Sequence, residues 1–171
     1  MQPPPMRLMD QALFDRLGVE ALSRPRLRCN FNLHQEQDSV QRFLNVLQPG
    51  TYVRPHRHCR ERLGEGFECF VVLQGAIGLL VFDEAGEIRQ RETLHSLGPL
   101  RGVELSEGHF HSLVALEPAS VMFELKQGPY QPLEDKDFHP GFPLEGTAEA
   151  QQQERAWRSL FLASGATEGD D

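Results

Sequence analysis

The sequence predicts an all-β protein, a closed antiparallel barrel or jelly-roll sandwich with a short N-terminal helix and a possible C-terminal helix. Short extended runs follow one another between residues 26 and 126, many of them alternating apolar and polar side chains. Turn signals separate them: Pro49-Gly50, Gln74-Gly75, residues 83–86, residues 97–99, Glu107-Gly108 and Glu117-Pro118. No helical run lies between these strands, as a parallel α/β sheet would require. The sequence carries no internal repeat, which favours one barrel over two.

Residues 1–9 are proline-rich and are expected to form a disordered tail. Asp10 can cap a helix over residues 11–22 with Leu13, Leu17 and Ala21 near one face, and Pro25 lies just beyond its end. From residue 26 the period changes to two. Leu27, Cys29, Phe31 and Leu33 alternate with Arg28, Asn30, Asn32 and His34, a strand with one polar face. Further strands are expected over residues 40–47, 52–58, 68–73, 76–83, 88–95, 102–105, 111–116 and 120–126. Residues 128–146 read as irregular. Residues 148–162 could form a last helix with Ala156, Trp157, Leu160 and Phe161 as its apolar face, ahead of an acidic tail. The organisation expected is therefore a tail over residues 1–9, one domain over 10–146, and a helix with tail over 147–171.

With 171 residues the chain can close one hydrophobic core. Its 25 acidic against 17 basic residues give a formal charge of -8. That balance speaks against sequence-independent nucleic-acid binding, which needs a basic face to displace counterions. The N-terminus has no apolar stretch suited to a signal peptide, and no segment reaches membrane-spanning length. Cys29, Cys59 and Cys69 have no CxxC spacing and read as free thiols, so the expectation is a cytoplasmic protein.

The chemistry concentrates in residues 50–75. His56 and His58 stand two apart in an extended run, so their imidazoles should project from one face. Glu68 opens the next apolar run, and His111 lies in a later His-Phe-His-Ser. A histidine pair alone also fits a hydrogen-bonded polar patch. Three imidazoles and a carboxylate from strand ends favour one divalent transition metal, with iron, manganese, nickel, zinc and copper all compatible with such donors. His109 shares parity with His111 and is its rival. Cys59 and Cys69 each neighbour a ligand and should face the other way, while His95 and His139 read as surface residues.

Gly50, His56 and His58, followed by Glu68 and Gly75, resemble the first motif of the cupin superfamily, G-x5-H-x-H then E-x6-G. Gly108 and His111 resemble a degenerate second motif that lacks its proline and asparagine. Longer stretches, V-Q-R-F-L-N-V-L-Q-P-G-T-Y-V-R-P-H-R-H, H-S-L-V-A-L-E-P, G-P-Y and D-K-D-F with a following E-G, resemble the WbuC-type cupin-fold metalloproteins over roughly residues 8–146, as does the Arg28, Asn30, Asn32, His34 pattern. The resemblance implies a single cupin domain, a double-stranded β-helix, with metal ligands His56, His58, Glu68 and His111. It also implies a place in surface-polysaccharide metabolism, though it says more about fold and site than about reaction. One departure stands out: nine residues separate His58 from Glu68, a longer gap than the cupin pattern has. Glu61 and Glu65 lie within that gap as competing donors, but only Glu68 keeps E-x6-G across an apolar strand.

Inward side chains of other strands should line a pocket around such a metal. Asn30, Asn32, Arg42, Arg54, Lys126 and Tyr130 are the substrate-binding candidates, together with Gln41. Tyr52 and His34 lead the acid–base candidates, with Glu104 and Tyr130 behind them. Tyr52 and Arg54 share parity with the histidine pair unless Pro55 adds a bulge. Two functions follow: a metal-dependent enzyme, an isomerase, epimerase or oxygenase acting on a small polar substrate such as a sugar or sugar-derived acid, or a non-catalytic metal-dependent binding module. A homodimer joined through sheet edges is the expected assembly.

Overall fold

Two five-stranded sheets face each other in the computed structural model, which describes residues 6–59, 66–130 and 137–163. The first sheet holds β1 (Arg28–Asn32), β2 (Val40–Leu47), β9 (Ser120–Gln127), β4 (Phe67–Gln74) and β7 (Gly102–Ser106), side by side in that order. The second holds β10 (Asp137–Phe138), β3 (His56–Arg57), β8 (Phe110–Ala115), β5 (Ala76–Phe82) and β6 (Ile88–His95). Every pairing is antiparallel. Because the chain crosses repeatedly between sheets, the strands wind as a double-stranded β-helix, which is the cupin fold.

Alternation along the strands divides the interior into two ends. Phe70 and Val72 on β4, Leu113 and Ala115 on β8, Ile77 and Leu79 on β5, with Leu47, Leu94 and Met122, pack as one apolar cluster. Continuing outward along the same faces, β4 presents Glu68 and β8 presents His111. The barrel is therefore plugged by hydrocarbon at one end and polar at the other.

Helix α1 (Gln11–Ser23) starts where Asp10 accepts a hydrogen bond from the Leu13 N–H. It seats Phe14, Leu17 and Ala21 on Leu44, Val46 and Val121, the outward face of the first sheet. Phe14 takes the buried position there, and Leu13 is only partly covered. Helix α2 (Ala148–Leu162), capped by Thr147, covers the back of the second sheet. Its Ala150, Trp157 and Phe161 pack on Tyr52, Leu80, Phe82, Phe110 and Val114. Ala156, expected on this face, is exposed; the remaining position belongs to Glu154, 1% exposed, which accepts hydrogen bonds from the Gly50 N–H and Arg158 Nε.

Covered by the barrel core on one side and α2 on the other, β5 is an almost continuous apolar run. Gly78 marks the closest approach: a Cβ there would lie 2.5 Å from the Phe161 ring. Gly75 turns β4 into β5 at φ +72°, the left-handed region that favours glycine.

Two expectations need correction, and a third lies outside the described residues. The strand over residues 52–58 contracts to His56–Arg57, and the short β10 that pairs with it was not anticipated. His139 is buried, not on the surface; its ring lies between Phe110 and Phe142, with Nε2 facing the Glu84 carbonyl and Nδ1 accepting from the Gly141 N–H. Residues 1–5 and 164–171, parts of the expected tails, lie outside the described residues.

Candidate metal centre and cavity

The donors come together through register. His56 on β3 stands opposite His111 on β8, and their rings are 4.7 Å apart. His58 lies 5.1 Å from His56. Nitrogen atoms of these three imidazoles all lie within 4.8 Å of one another. Glu68 enters from the facing sheet, with one carboxylate oxygen 3.0 Å from His111 Nε2 and the other 3.4 Å from His58 Nε2. His56, Glu68 and His111 are buried, and His58 is half-buried.

Second contacts aim two of the rings. His56 Nδ1 donates to the Arg54 carbonyl and His111 Nδ1 to the His109 carbonyl, each at 3.0 Å, so Nε2 is the nitrogen turned toward the cluster. Burial alone would raise the Glu68 carboxyl. The charge and hydrogen bond of His111, and then those of His58, outweigh it and hold the group well below its ordinary value.

This arrangement fits a transition metal. Donors ~2.1 Å from one ion are ~3.0 Å apart at right angles and ~3.4 Å apart at the tetrahedral angle. The carboxylate–imidazole separations match that range. Imidazole and carboxylate without thiolate suit iron, manganese, nickel or zinc. His109 is exposed and lines a smaller cleft beside Glu68, outside the three-histidine cluster. Glu61 and Glu65 lie outside the described residues.

The donors form one wall of a cavity of about 530 Å³ within the polar end of the barrel. Asn30, Asn32, His34, Lys126 and Tyr130 line it, as does Gln41. Lys126 is buried, opposite both Gln41 and Glu68 in register, with Nζ 5.6 Å from the Phe43 ring centre. Tyr130 sits half in solvent at the rim. His34 Nδ1 faces the backbone of Arg42, with the Arg42 N–H donating to it at 2.9 Å.

Three candidates are placed elsewhere. Arg42 follows Gln41 by one residue and so points out of the barrel, where it pairs with Asp38 at 2.5 Å. Tyr52 stacks on Trp157 and donates its hydroxyl to the Pro143 carbonyl, on the far side of the second sheet. Arg54 reaches the His139 carbonyl and the face of Phe138. The cause is local: Val53 and His56 both line the cavity although three residues apart, so the stretch through Pro55 breaks plain alternation. Glu104, on β7, is exposed and does not line the cavity.

Two lining residues escaped the sequence reading. Glu124, 9% exposed, faces inward from β9, and Asn45 on β2 donates its amide Nδ2 to it. Their signal was parity: Glu124 lies midway between inward Met122 and inward Lys126, and Asn45 midway between Phe43 and Leu47.

The family model described as "Domain of unknown function (DUF6016)" matches residues 9–94, a span that includes His56, His58 and Glu68. The chain belongs to this family. No curated protein matches it. Among solved structures it is similar to CapF bound to the inhibitor 3-isopropenyl-tropolone, at 20% identity and TM-score 0.53, over 64% of this chain and 30% of that one. The capsular polysaccharide assembling protein CapF of Staphylococcus aureus gives 19% identity and TM-score 0.52, over 64% and 29%. SPY1581, a conserved protein of unknown function from Streptococcus pyogenes, gives 14% identity and TM-score 0.51, over 75% of this chain and 93% of that one. This member of the family thus spans less than a third of the CapF chains, and at such identities the likeness is one of fold.

Proposed function

We propose that His56, His58, Glu68 and His111 hold one divalent metal, and that the chain is a WbuC-type cupin enzyme acting on a small polar substrate such as a sugar-derived acid. One observation carries this reading: the donors form the wall of a cavity of about 530 Å³ lined by polar side chains. That volume is typical of small-molecule sites, and a purely structural metal needs no such space. When bound, a divalent ion supplies Lewis-acid polarisation of a substrate oxygen. The His56 and His111 rings are held with Nε2 forward by their carbonyl contacts, and Glu68 contributes the anionic donor.

The placement of Tyr52 outside the cavity favours a second reading, a non-catalytic binding module, because it removes one of the two leading acid–base candidates. Elemental analysis and turnover measurement separate the two. Wild-type protein should carry one metal per chain and His56→Ala should lose it. Metal-loaded wild type is then assayed against sugar acids, sugar phosphates and nucleotide sugars. A metal-bearing protein that ligates these compounds but is no more active than His56→Ala supports the binding module, and protein that retains no metal overturns both.

Assembly as a homodimer through the edge strand β6 belongs to the same proposal. Most of β6 from Ile88 to Arg91 is exposed. Sedimentation that shows a monomer at micromolar concentration would remove it.

A further inference from the structure

We propose that the cavity selects an unphosphorylated polyhydroxy monocarboxylate, whose hydroxyl groups are read by a wall of carboxamides closed by the Asn45–Glu124 pair. The inference deepens the preceding reading and rests on it only for the carboxylate's anchor at the metal.

Register builds the wall. Asn30 on β1 stands opposite Asn45 on β2. Asn32 stands opposite Phe43, which in turn stands opposite Glu124 on β9. Gln41 stands opposite Lys126. These residues line one cavity from three adjacent strands. Gln41 is 2% exposed and donates to the Gln127 carbonyl at 3.4 Å, and Glu124 is 9% exposed and accepts from Asn45, so a ligand meets polar groups already fixed in orientation. A carboxamide presents a donor and an acceptor together, as a hydroxyl does, so a row of them complements a polyol better than an apolar or a purely ionic ligand. Asn45 donates to one Glu124 oxygen and thereby orients the carboxylate as an acceptor for ligand hydroxyls. Phe43 and Phe70, in register on either side of Glu124, give the C–H surface of such a ligand an apolar seat.

Charge sets the rest of the ligand. Lys126 stands opposite Glu68, at the metal end, where it suits a single ligand carboxylate. Among the described residues of the wall, the two arginines are engaged elsewhere. Arg28, at the cavity wall, is committed to Glu145 at 2.7 and 2.9 Å and to the Tyr52 carbonyl. Arg26 also binds Glu145. Glu36 and Glu124, neither of them a metal donor, line the same space and disfavour a second ligand charge, and proteins usually hold a dianion with guanidinium forks or helix N-termini.

Calorimetry on the zinc-loaded full chain tests this with acetate, D-glucose, D-gluconate and 6-phospho-D-gluconate as probes. Gluconate should bind about tenfold or more tighter than acetate, the gain expected from at least one hydrogen bond to a charged group. It should also bind tighter than glucose or the phosphorylated acid. Glu124→Gln should remove most of the advantage over acetate while leaving acetate affinity, metal content and thermal midpoint in place. Should Glu124→Gln fold poorly, Asn32→Ala at the exposed mouth provides the same comparison. Equal binding of gluconate and acetate, tighter binding of the phosphorylated acid, or no gluconate binding would overturn the proposal. Metal content is measured separately: absence of metal sinks the metal reading, and the gluconate-to-acetate ratio still decides this one.

Discussion

Glu68→Gln is the most informative single change at the cluster. The substitution keeps the shape of a buried side chain but removes the charge facing His111 at 3.0 Å and His58 at 3.4 Å. Metal that binds only the folded chain stabilises it by RT ln(1 + [M]/Kd), about 2.7 kcal/mol at a free concentration of 100 Kd. For a chain of this size that raises the midpoint of thermal unfolding by roughly 5–11 °C. Loss of a metal-orienting partner weakens affinity by about 10–100-fold, and a direct anionic donor belongs at the upper end. At the same metal concentration the variant would then gain only about 0.4 kcal/mol, or roughly 1–2 °C. Scanning calorimetry with and without metal measures both shifts, and comparing them within each protein cancels any effect of the substitution on the metal-free fold. His109→Ala, Glu61→Gln and Glu65→Gln should keep the full wild-type shift. A Glu68→Gln protein that keeps it too would show that the carboxylate is no ligand.

Two further outcomes follow from the packing. Burial, the largest influence, pushes the Tyr52 phenol up to about 12, against about 10 in an unfolded chain. The fold therefore favours the neutral form: its contribution is complete below about pH 10 and is lost as pH rises toward 12, by at most about 2.7 kcal/mol. Denaturant unfolding across that window should show the loss, and Tyr52→Phe should flatten it; an unchanged slope would refute burial as its source. Glu154→Ala should lower unfolding free energy by about 3 kcal/mol, because the Gly50 N–H and Arg158 lose a charged acceptor 1% exposed to solvent. Urea titration measures it, and a loss within experimental scatter would mean that water replaces the carboxylate.

How legible each part was in the sequence depended on whether one local pattern sufficed. Val40–Leu47 and Ile88–His95 took their expected bounds because clear turn residues flank them. The histidines and Glu68 could be picked out because a metal demands particular donors at strand ends, and the fold brings those side chains together. Alternation failed around Pro55, where an intervening residue sends Tyr52 and Arg54 away while Val53 stays inside. The polar face of β1 was visible, but periodicity alone does not tell a cavity wall from a solvated surface; the cavity it lines together with β2 and β9 of the same sheet decides it. Glu124 went unnoticed for the opposite reason: an acid in a strand reads as solvated until the residues on either side are seen to point inward. The burial of His139 depends on contacts with Phe110 and Phe142 that no spacing rule encodes.

Strand β8 has a particular consequence for tolerance to mutation. Its odd-numbered positions face the donors and the barrel interior, while Phe110 and Val114 lie under Trp157 and Phe161 of α2. The C-terminal helix is thus a backing plate for the rib that carries His111. In a saturation survey scored by metal retention, Trp157 and Phe161 should cluster with the ligands themselves, although neither side chain lines their chamber.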